Sequence, residues 1–227
     1  MRMWNAKSNE ANINMYEILK NYGIIPAIKI DDADKAVPLA ESLALGGLNI
    51  AEVSFEPECA AETVKKISRA FPEMTVAAGT VLTVDQVKLA VDSGAKFIVS
   101  PKFNEEVVSY CRKHGIVIIP GCSNACDIDK ALDMDISVVG FFHSEERGGI
   151  KTIKTLSASY PGVRFVPAGG IGGIGTDGNV LKLYLFEQTV LACGVSFMAK
   201  EEHIKYMENN EFGLLEIYGS MKIVKGN

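Results

Sequence analysis

The chain has 227 residues, and its 23 Lys and Arg against 28 Asp and Glu give a formal net charge of −5, which disfavours nucleic-acid binding because phosphates require a basic surface. Hydrophobic residues make up 48% of the chain, enough for a large core, yet no apolar run reaches the ~18 residues of a membrane span. The start lacks a secretory signal and the five scattered cysteines indicate reduced thiols, so we expect a cytoplasmic protein.

Eight short apolar, β-branched runs recur along the chain at steps of 20 to 27 residues. They are Ile24–Ile30, Leu48–Phe55, Met74–Ala78, Lys96–Ser100, Ile116–Pro120, Ile136–Phe142, Val163–Ala168 and Thr189–Gly194. Nearly continuous apolar runs are typical of parallel strands that helices cover. Because each step has the length of one strand–helix unit, the eight runs predict an α/β protein with a closed (β/α)₈ TIM barrel.

Amphipathic stretches with helix start and stop signals lie between these runs. They are Asp31–Gly46, Glu58–Phe71, Thr83–Ser93, Asn104–His114, Ser123–Asp133, Glu146–Tyr160 and Gly178–Phe186. An extra N-terminal helix is predicted at residues 13–22, where it is placed to cap the bottom of the barrel. Since no linker divides the chain, we predict a single domain over residues 1–227, with its strand–helix units at 24–197 and a C-terminal tail at 198–227.

Polar residues at the strand ends are the candidates for an active site, because barrels of this type place their sites there. Glu52 lies in the apolar run NIAEVSF, where a carboxylate is costly unless it is paired or functional. A structural ion pair inside the barrel is one interpretation. The other is a carboxyl group with a raised pKa that transfers protons at neutral pH.

Glycines lie at the ends of the last two predicted strands. Gly169-Gly170 and the segment Gly194–Ser196 let backbone N–H groups approach an anion closely, so they predict a site for phosphate or another small anion. The spacing of Cys122 and Cys126 matches no common zinc set, and the three histidines are dispersed. The sequence therefore indicates neither a metal site nor a cofactor.

Seven segments together resemble the 2-keto-3-deoxy-6-phosphogluconate (KDPG) and 4-hydroxy-2-oxoglutarate (KHG) aldolase family. They are AEVSFEPECA at 51–60, AAGTVLT at 77–83, FIVSP at 97–101, IPGCSN at 119–124, GFFHSEERGGIKTIK at 140–154, VRFVPAGGI at 163–171 and LACGVSF at 191–197. The resemblance implies a (β/α)₈ barrel that assembles as a cytoplasmic homotrimer. It also implies metal-free cleavage of a small 2-keto acid to pyruvate and an aldehyde through a lysine Schiff base.

Residues carried over from the family pattern give roles to several positions. Glu52 matches the proton-shuttling glutamate, Thr80 the threonine near the bound keto acid, and Pro101 the proline at the end of the fourth strand. The phosphate-binding loops match Gly169, Gly170, Gly194 and Ser196.

Two departures from the family pattern change the expected chemistry. Gly140 stands where the resemblance places the Schiff-base lysine, and Glu56 stands where it places an arginine that holds the substrate carboxylate. Glycine has no amine, and a glutamate repels a carboxylate. His143, Ala168 and Val195 also differ from the family pattern.

Two lysines lie at the ends of predicted strands and could take over the missing functions. Lys102 is the candidate for a relocated Schiff-base amine, and Lys29 is the candidate for a cationic clamp on a substrate anion. Each could instead be a surface lysine that packs its stem and exposes its charge.

Three hypotheses about function follow. The first is an aldolase-type lyase acting on a 2-keto acid, typically phosphorylated, with impaired or altered activity. The second is an inactive family member that binds a small phosphorylated or carboxylate ligand. The third is a Glu52-dependent isomerase of a sugar acid phosphate.

Overall fold

The computed structural model describes residues 16, 18, 19, 22, 25–45, 48–168 and 197–198, through which strands and helices alternate. The strands are β1 Ala27–Lys29, β2 Ile50–Ser54, β3 Thr75–Gly79, β4 Phe97–Ser100, β5 Ile118–Pro120, β6 Val138–Phe142, β7 Arg164–Ala168 and β8 Phe197–Met198. The helices are α1 Ala36–Leu45, α2 Ala60–Ala70, α3 Val84–Asp92, α4 Glu105–Lys113, α5 Ala125–Asp133 and α6 Gly149–Ser159. Two short 3-10 helices span Ala33–Lys35 and Glu145–Arg147.

Side-chain caps fix the starts of three helices. Thr83 Oγ1 accepts a hydrogen bond from the Gln86 N–H, and Gln86 Oε1 accepts one from the Thr83 N–H, which makes a capping box at α3. Asn104 and Asn124 accept hydrogen bonds from first-turn N–H groups of α4 and α5. Gly94, with φ of +107°, follows α3 in the backbone conformation that ends many helices.

The strands are parallel, and strands that are consecutive in sequence lie side by side. One sheet has the order β5-β4-β3-β2-β1-β8, and β6 pairs with β7 in a second sheet. A bridge between Gly121 and Gly140, with the Cys122 N–H donating to Gly140 O at 2.7 Å, joins β5 to β6. This order confirms the predicted repeating parallel architecture. The junction of β7 with β8 involves residues outside the described ranges.

Alternate residues of each strand enter two separate apolar cores, as the two-residue period of a strand requires. One core lies between the strands and the helices and contains Ile28, Val53 and Val139. The other lies on the inward side of the strands and contains Ile25, Ile50, Ala77, Phe97, Ile119, Val138 and Val166. Leu19, from the N-terminal helical residues, is fully buried against this inner core at the end where the strands begin.

Seven of the eight predicted runs overlap a described strand. The eighth run, Thr189–Gly194, lies outside the described residues, as do the predicted helix Gly178–Phe186 and the tail beyond Met198. The described strand beside β1 on its other edge is the short segment Phe197–Met198, and the eighth run stays a prediction. The division of residues 1–227 into one domain and a tail stays a prediction.

Candidate active site

Polar residues and glycines continue the inward side of the strands beyond the inner core. Because side chains alternate along a strand, residues two and four positions after a core residue face the same way. Alternation from the inner core places these residues inward at the C-terminal strand ends: Lys29, Glu52, Ser54, Gly79, Gly121 and Gly140. We call this end the mouth of the barrel, where active sites of this architecture lie.

Glu52 is a partly buried carboxyl group on the inward side of β2. Its burial raises its pKa from the usual 4.5 to about 7, in the direction that the sequence predicts. Within the described part of the chain, its carboxyl group has no hydrogen-bond donor or cation as a partner. An acid with a pKa near neutrality can both give and take a proton at physiological pH.

Gly79 makes room for the Glu52 side chain, a role that the sequence did not predict. A Cβ atom on Gly79 would overlap Glu52 Oε1 and would lie 2.6 Å from Cγ and 2.7 Å from Cδ. The signal in the sequence is the small-residue segment AAG of β3. This segment can be linked to Glu52 only through the strand register, which pairs Ser54 with Gly79 and places the inward face of β2 beside β3.

The raised pKa of Glu52 predicts a pH-dependent stability. Between pH 4.5 and about 7 the unfolded chain ionises while folded Glu52 keeps its proton, so the free energy of unfolding falls as pH rises. The full loss, above about pH 7, is about 3 kcal/mol. We therefore expect the Glu52→Gln variant to gain stability over the unmodified chain as the pH is raised from 4.5 to 8.

Urea unfolding of both proteins across this range measures that gain. The matched control is Glu105→Gln, which removes an exposed carboxylate from the first turn of α4. The raised pKa would be contradicted if the free energy of unfolding differed by the same amount between Glu52→Gln and the unmodified chain at every pH.

Thr80 follows β3 with a φ of +55°, a left-handed conformation that costs a β-branched residue about 1–2 kcal/mol. Ser54 Oγ donates a hydrogen bond to Thr80 Oγ1 at 3.3 Å. Because Ser54 supplies that proton, the Thr80 hydroxyl keeps its own proton for another acceptor. A strained, partly buried hydroxyl group at a strand end is suited to binding a ligand oxygen.

Lys29 forms an ion pair with Glu56 at the mouth of the barrel, with the two side chains 43% and 50% exposed. The hydrogen bond to Glu56, and then the charge of Glu56, raise the pKa of Lys29. Since the Glu56 carboxylate already contacts the Lys29 ammonium, an anionic ligand at Lys29 has to compete with Glu56.

Pro101 and Lys102 form the turn after β4. Ser100 Oγ donates to the Lys102 carbonyl oxygen at 2.8 Å. Gly121 packs tightly against this turn, because a Cβ atom on it would lie 2.5 Å from Pro101 C and 2.8 Å from Lys102 N. The Lys102 side chain is exposed and forms no hydrogen bond or ion pair with Glu52. Alternation from Phe97 and Val99 places Pro101 on the inward side of the strands, and the Lys102 side chain is exposed to solvent.

Gly140 is buried, and alternation from Val138 places it on the inward side of β6. A Cβ atom there would lie 3.6 Å from Gly121 Cα and 3.7 Å from Pro120 O, which are ordinary van der Waals contacts. The absence of a side chain at position 140 is therefore not imposed by the neighbouring backbone.

A sequence profile described as Aldolase, KDPG and KHG aldolase, matches residues 15–214. The chain belongs to this family. Among KDPG and KHG aldolases, it is 42% identical over 192 residues to a 2-dehydro-3-deoxy-phosphogluconate aldolase of Treponema pallidum, covering 85% of this chain and 89% of the relative. It is 39% identical over 199 residues to the enzyme of that name from Haemophilus influenzae, covering 88% and 92%.

A solved aldolase structure confirms the barrel fold of the chain. The KDPG aldolase of Legionella pneumophila, with pyruvate captured at low pH as a covalent carbinolamine intermediate, superposes with a TM-score of 0.77 at 30% identity. The superposition covers 85% of this chain and 91% of that one. The chain is thus an α/β barrel protein of a carbon–carbon lyase family.

Several residues that the aldolase resemblance singled out lie outside the described part of the chain. These are the four proposed phosphate-binding residues Gly169, Gly170, Gly194 and Ser196, together with Val195. His143 is described and exposed, with a φ of +52° and its ring packed against Phe142. The structure does not test the expected roles of these residues.

Within the described residues, the cysteines are unpaired, and neither a metal-binding cluster nor a membrane-spanning helix is found. Cys59, Cys111, Cys122 and Cys126 are free thiols, and burial raises the pKa of Cys111 and of Cys122 to about 12. The described residues contain no cluster of His, Cys, Asp and Glu arranged to hold a metal ion. A helix with the length and hydropathy of a membrane span is not found in this part of the chain.

Proposed function

We propose that this chain catalyses the reversible aldol cleavage of a small 2-keto acid to pyruvate and an aldehyde, with Glu52 as the general acid and base. The observation that carries the proposal is the Glu52 carboxyl group, which lies at the mouth of an aldolase-family barrel with a pKa of about 7. Aldol cleavage requires a proton to leave the C4 hydroxyl and another to return to the methyl carbon of pyruvate. One group that titrates near neutrality can serve both transfers.

The proposed substrate is a 2-keto acid that carries a phosphate. The names of the relatives supply this class, since they are phosphogluconate aldolases. Gly169, Gly170, Gly194 and Ser196 are our candidates for the phosphate contacts, with backbone N–H groups as donors. Thr80 and Pro101 would contact the keto acid itself, and the free hydroxyl proton of Thr80 suits a carboxylate or carbonyl oxygen.

Lys29 is the proposed cation for the substrate carboxylate. In the described residues its ammonium is held by Glu56, so substrate binding would exchange one carboxylate for another. This exchange offers little gain in binding energy, because the ion pair that is lost resembles the one that forms. We therefore expect weak substrate binding.

Lys102 remains the candidate within the chain for a Schiff-base amine. Its exposed ammonium would have to turn inward from the end of β4 to reach a substrate beside Glu52. Moving this charged side chain out of solvent costs it hydration. We expect turnover through Lys102 to be slow.

Pyruvate release, coupled to lactate dehydrogenase, tests the proposed function at high protein concentration. With KDPG or 4-hydroxy-2-oxoglutarate as substrate, we expect a slow release that falls roughly 10²-fold or more in Glu52→Gln, as expected for loss of a general acid–base group. The matched control Glu105→Gln should retain the rate. Borohydride reduction with pyruvate, followed by peptide mapping, shows whether Lys102 forms an imine.

Two outcomes would contradict this proposal. Equal rates in Glu52→Gln and the unmodified chain would exclude Glu52 as the proton-transfer group. Exchange of the C3 protons of a phosphorylated sugar acid with solvent deuterium, without any cleavage of that compound, would instead favour the isomerase hypothesis.

We also propose that the chain assembles as a homotrimer, as the family resemblance implies. Leu82, Leu89, Val91 and Leu132 are exposed large hydrophobic residues that a subunit interface could cover. Light scattering during gel filtration measures the mass, and a monomer of 24.5 kDa at micromolar concentration would contradict the trimer. The cytoplasmic location stays a prediction.

A further inference from the structure

Ser54 is the last residue of β2 and lies two positions after Glu52, so alternation places both residues on the inward side of the strand. The strand register pairs Ser54 with Gly79, the residue before Thr80. The Ser54 hydroxyl group donates to Thr80 Oγ1 at 3.3 Å, and it forms no other hydrogen bond with a residue that the structure describes. Ser54 therefore connects β2 to the hydroxyl group that we propose for binding the keto acid.

The backbone is fixed by neighbouring strands on both sides of Thr80. The Phe55 N–H donates to Gly79 O at 2.9 Å, and the Val81 N–H donates to a carbonyl oxygen of β4 at 3.2 Å. Thr80 lies between these two bonds with its left-handed φ of +55°. Since the backbone is held, the freedom that remains to Thr80 is rotation of its side chain. The hydrogen bond from Ser54 selects one orientation of that side chain.

The direction of this hydrogen bond determines what the Thr80 hydroxyl group can do. A hydroxyl group has one proton and two lone pairs. When Thr80 Oγ1 accepts the proton of Ser54, its own proton is left for a ligand oxygen, and consecutive hydrogen bonds of this kind polarise and strengthen one another. A negatively charged oxygen, such as that of a carboxylate, gains most from a strengthened donor.

Thr80 also follows directly after the residue that packs against Glu52. A Cβ atom on Gly79 would overlap Glu52 Oε1, which shows that the Glu52 carboxyl group lies against the backbone of β3 just before Thr80. A keto acid that is bound by the Thr80 hydroxyl group is therefore held near the proposed proton-transfer group.

We propose that Ser54 is a positioning residue for substrate binding, because it orients the Thr80 hydroxyl group toward an oxygen of the 2-keto acid and strengthens that group as a donor. This inference rests on the proposed function, in which Thr80 contacts the keto acid. Ser54 itself does not contact the substrate, so its effect on binding passes through Thr80.

A double-mutant cycle for pyruvate binding tests whether Ser54 acts through Thr80. Ligand-observed NMR titration with pyruvate measures Kd for the unmodified chain, Ser54→Ala, Thr80→Ala and the protein with both substitutions. We expect Ser54→Ala to raise Kd about 3- to 10-fold, as for one neutral hydrogen bond, and Thr80→Ala to raise it roughly 10-fold or more, as for a bond to a charged group. In the Thr80→Ala protein, adding Ser54→Ala should leave Kd unchanged.

Two further variants separate positioning from a general effect on the fold. Ser54→Thr keeps a hydroxyl group at this position and should keep the Kd of the unmodified chain. Ser42→Ala is the matched control, because Ser42 is a buried serine whose Oγ donates one hydrogen bond, to Pro38 O at 2.9 Å within α1. It should also keep the Kd, and circular dichroism checks that each variant is folded.

Pyruvate release from KDPG supplies a second measurement. Weaker binding in Ser54→Ala should raise KM with little change in kcat, whereas a smaller folded fraction would lower kcat at an unchanged KM. This split distinguishes a residue that acts on substrate binding from one that only stabilises the barrel.

The inference is overturned if Ser54→Ala and the unmodified chain have equal Kd values, or if the loss in Ser54→Ala persists in full in the Thr80→Ala protein. In either case, pyruvate release from KDPG by the unmodified chain shows that the aldol function stands and only this inference fails. If the unmodified chain neither binds pyruvate nor releases it from KDPG, the proposed function fails together with the inference.

Discussion

Pyruvate release is expected to rise on the order of 10³- to 10⁶-fold when Gly140→Lys and Glu56→Arg are introduced together, the range over which loss of a nucleophile lowers enzyme rates. The backbone around Gly140 accepts a Cβ atom, so a lysine at this position extends into the mouth where Glu52 lies. Replacing Glu56 removes a carboxylate that repels the substrate and releases Lys29 from its ion pair. The variant then has an amine, a proton-transfer group and two cations for the substrate carboxylate.

Each single substitution is expected to recover much less. With Gly140→Lys alone, Glu56 still repels the substrate and can pair with the new ammonium, which keeps that amine protonated. With Glu56→Arg alone, the substrate carboxylate has an additional cation to bind, but position 140 still carries no amine. Because both positions act on one small pocket, their effects should be strongly non-additive.

Four proteins assayed with lactate dehydrogenase decide this prediction. Borohydride trapping with pyruvate should label position 140 in the double variant, and intact mass with peptide mapping identifies the site. Ordinary aldolase turnover in the unmodified chain, retained in Lys102→Met, would contradict both the impaired site and the relocated lysine.

Alanine substitution of Gly79, Gly121 and Gly140 should have different effects on stability and activity, although each substitution adds one methyl group. In Gly79→Ala, the new methyl group overlaps the flexible Glu52 side chain from Cγ to the carboxyl group, so the whole side chain has to move. The carboxyl group can rotate away toward solvent, so we expect the stability to change by less than about 1 kcal/mol. The rate of pyruvate release, however, should fall by roughly 10²- to 10⁴-fold, because Glu52 no longer transfers protons.

Gly121→Ala provides the matched comparison. Its methyl group meets the backbone of Pro101 and Lys102, which cannot move without breaking the turn after β4. We expect this variant to lose about 2–4 kcal/mol of stability. Gly140→Ala makes only ordinary contacts and should be close to neutral.

Urea unfolding measures the stability of the three variants, and infrared titration of the carboxyl bands follows Glu52 directly. In Gly79→Ala the Glu52 pKa should drop from about 7 toward 4.5, because the displaced group regains water. Turnover is best compared in the double variant, where we expect the higher rate. A Gly79→Ala protein with an unchanged Glu52 pKa would show that the carboxyl group does not depend on this space.

The sequence alone determined the repeat, most element positions and the family. Its apolar runs and capping residues act locally, so the strands at 50–54, 75–79 and 97–100 lie within or within one residue of their predicted runs. Thr83 and Asn104 begin helices for the same reason, since a cap needs only N–H groups two or three residues away. A carboxyl group within an apolar strand was also sufficient to predict the raised pKa of Glu52.

Only the tertiary structure decided which residues lie together at the mouth, which of them are paired, and which glycines are closely packed. The pairing of Lys29 with Glu56 joins positions 27 residues apart, and the sequence had assigned these two side chains opposite effects on a substrate carboxylate. The role of Gly79 depends on the register of β2 against β3, and the different constraints on Gly121 and Gly140 depend on the backbone packed against each. Contacts between strands are set by register and by the space between side chains, and neither quantity is contained in the local pattern of a single strand.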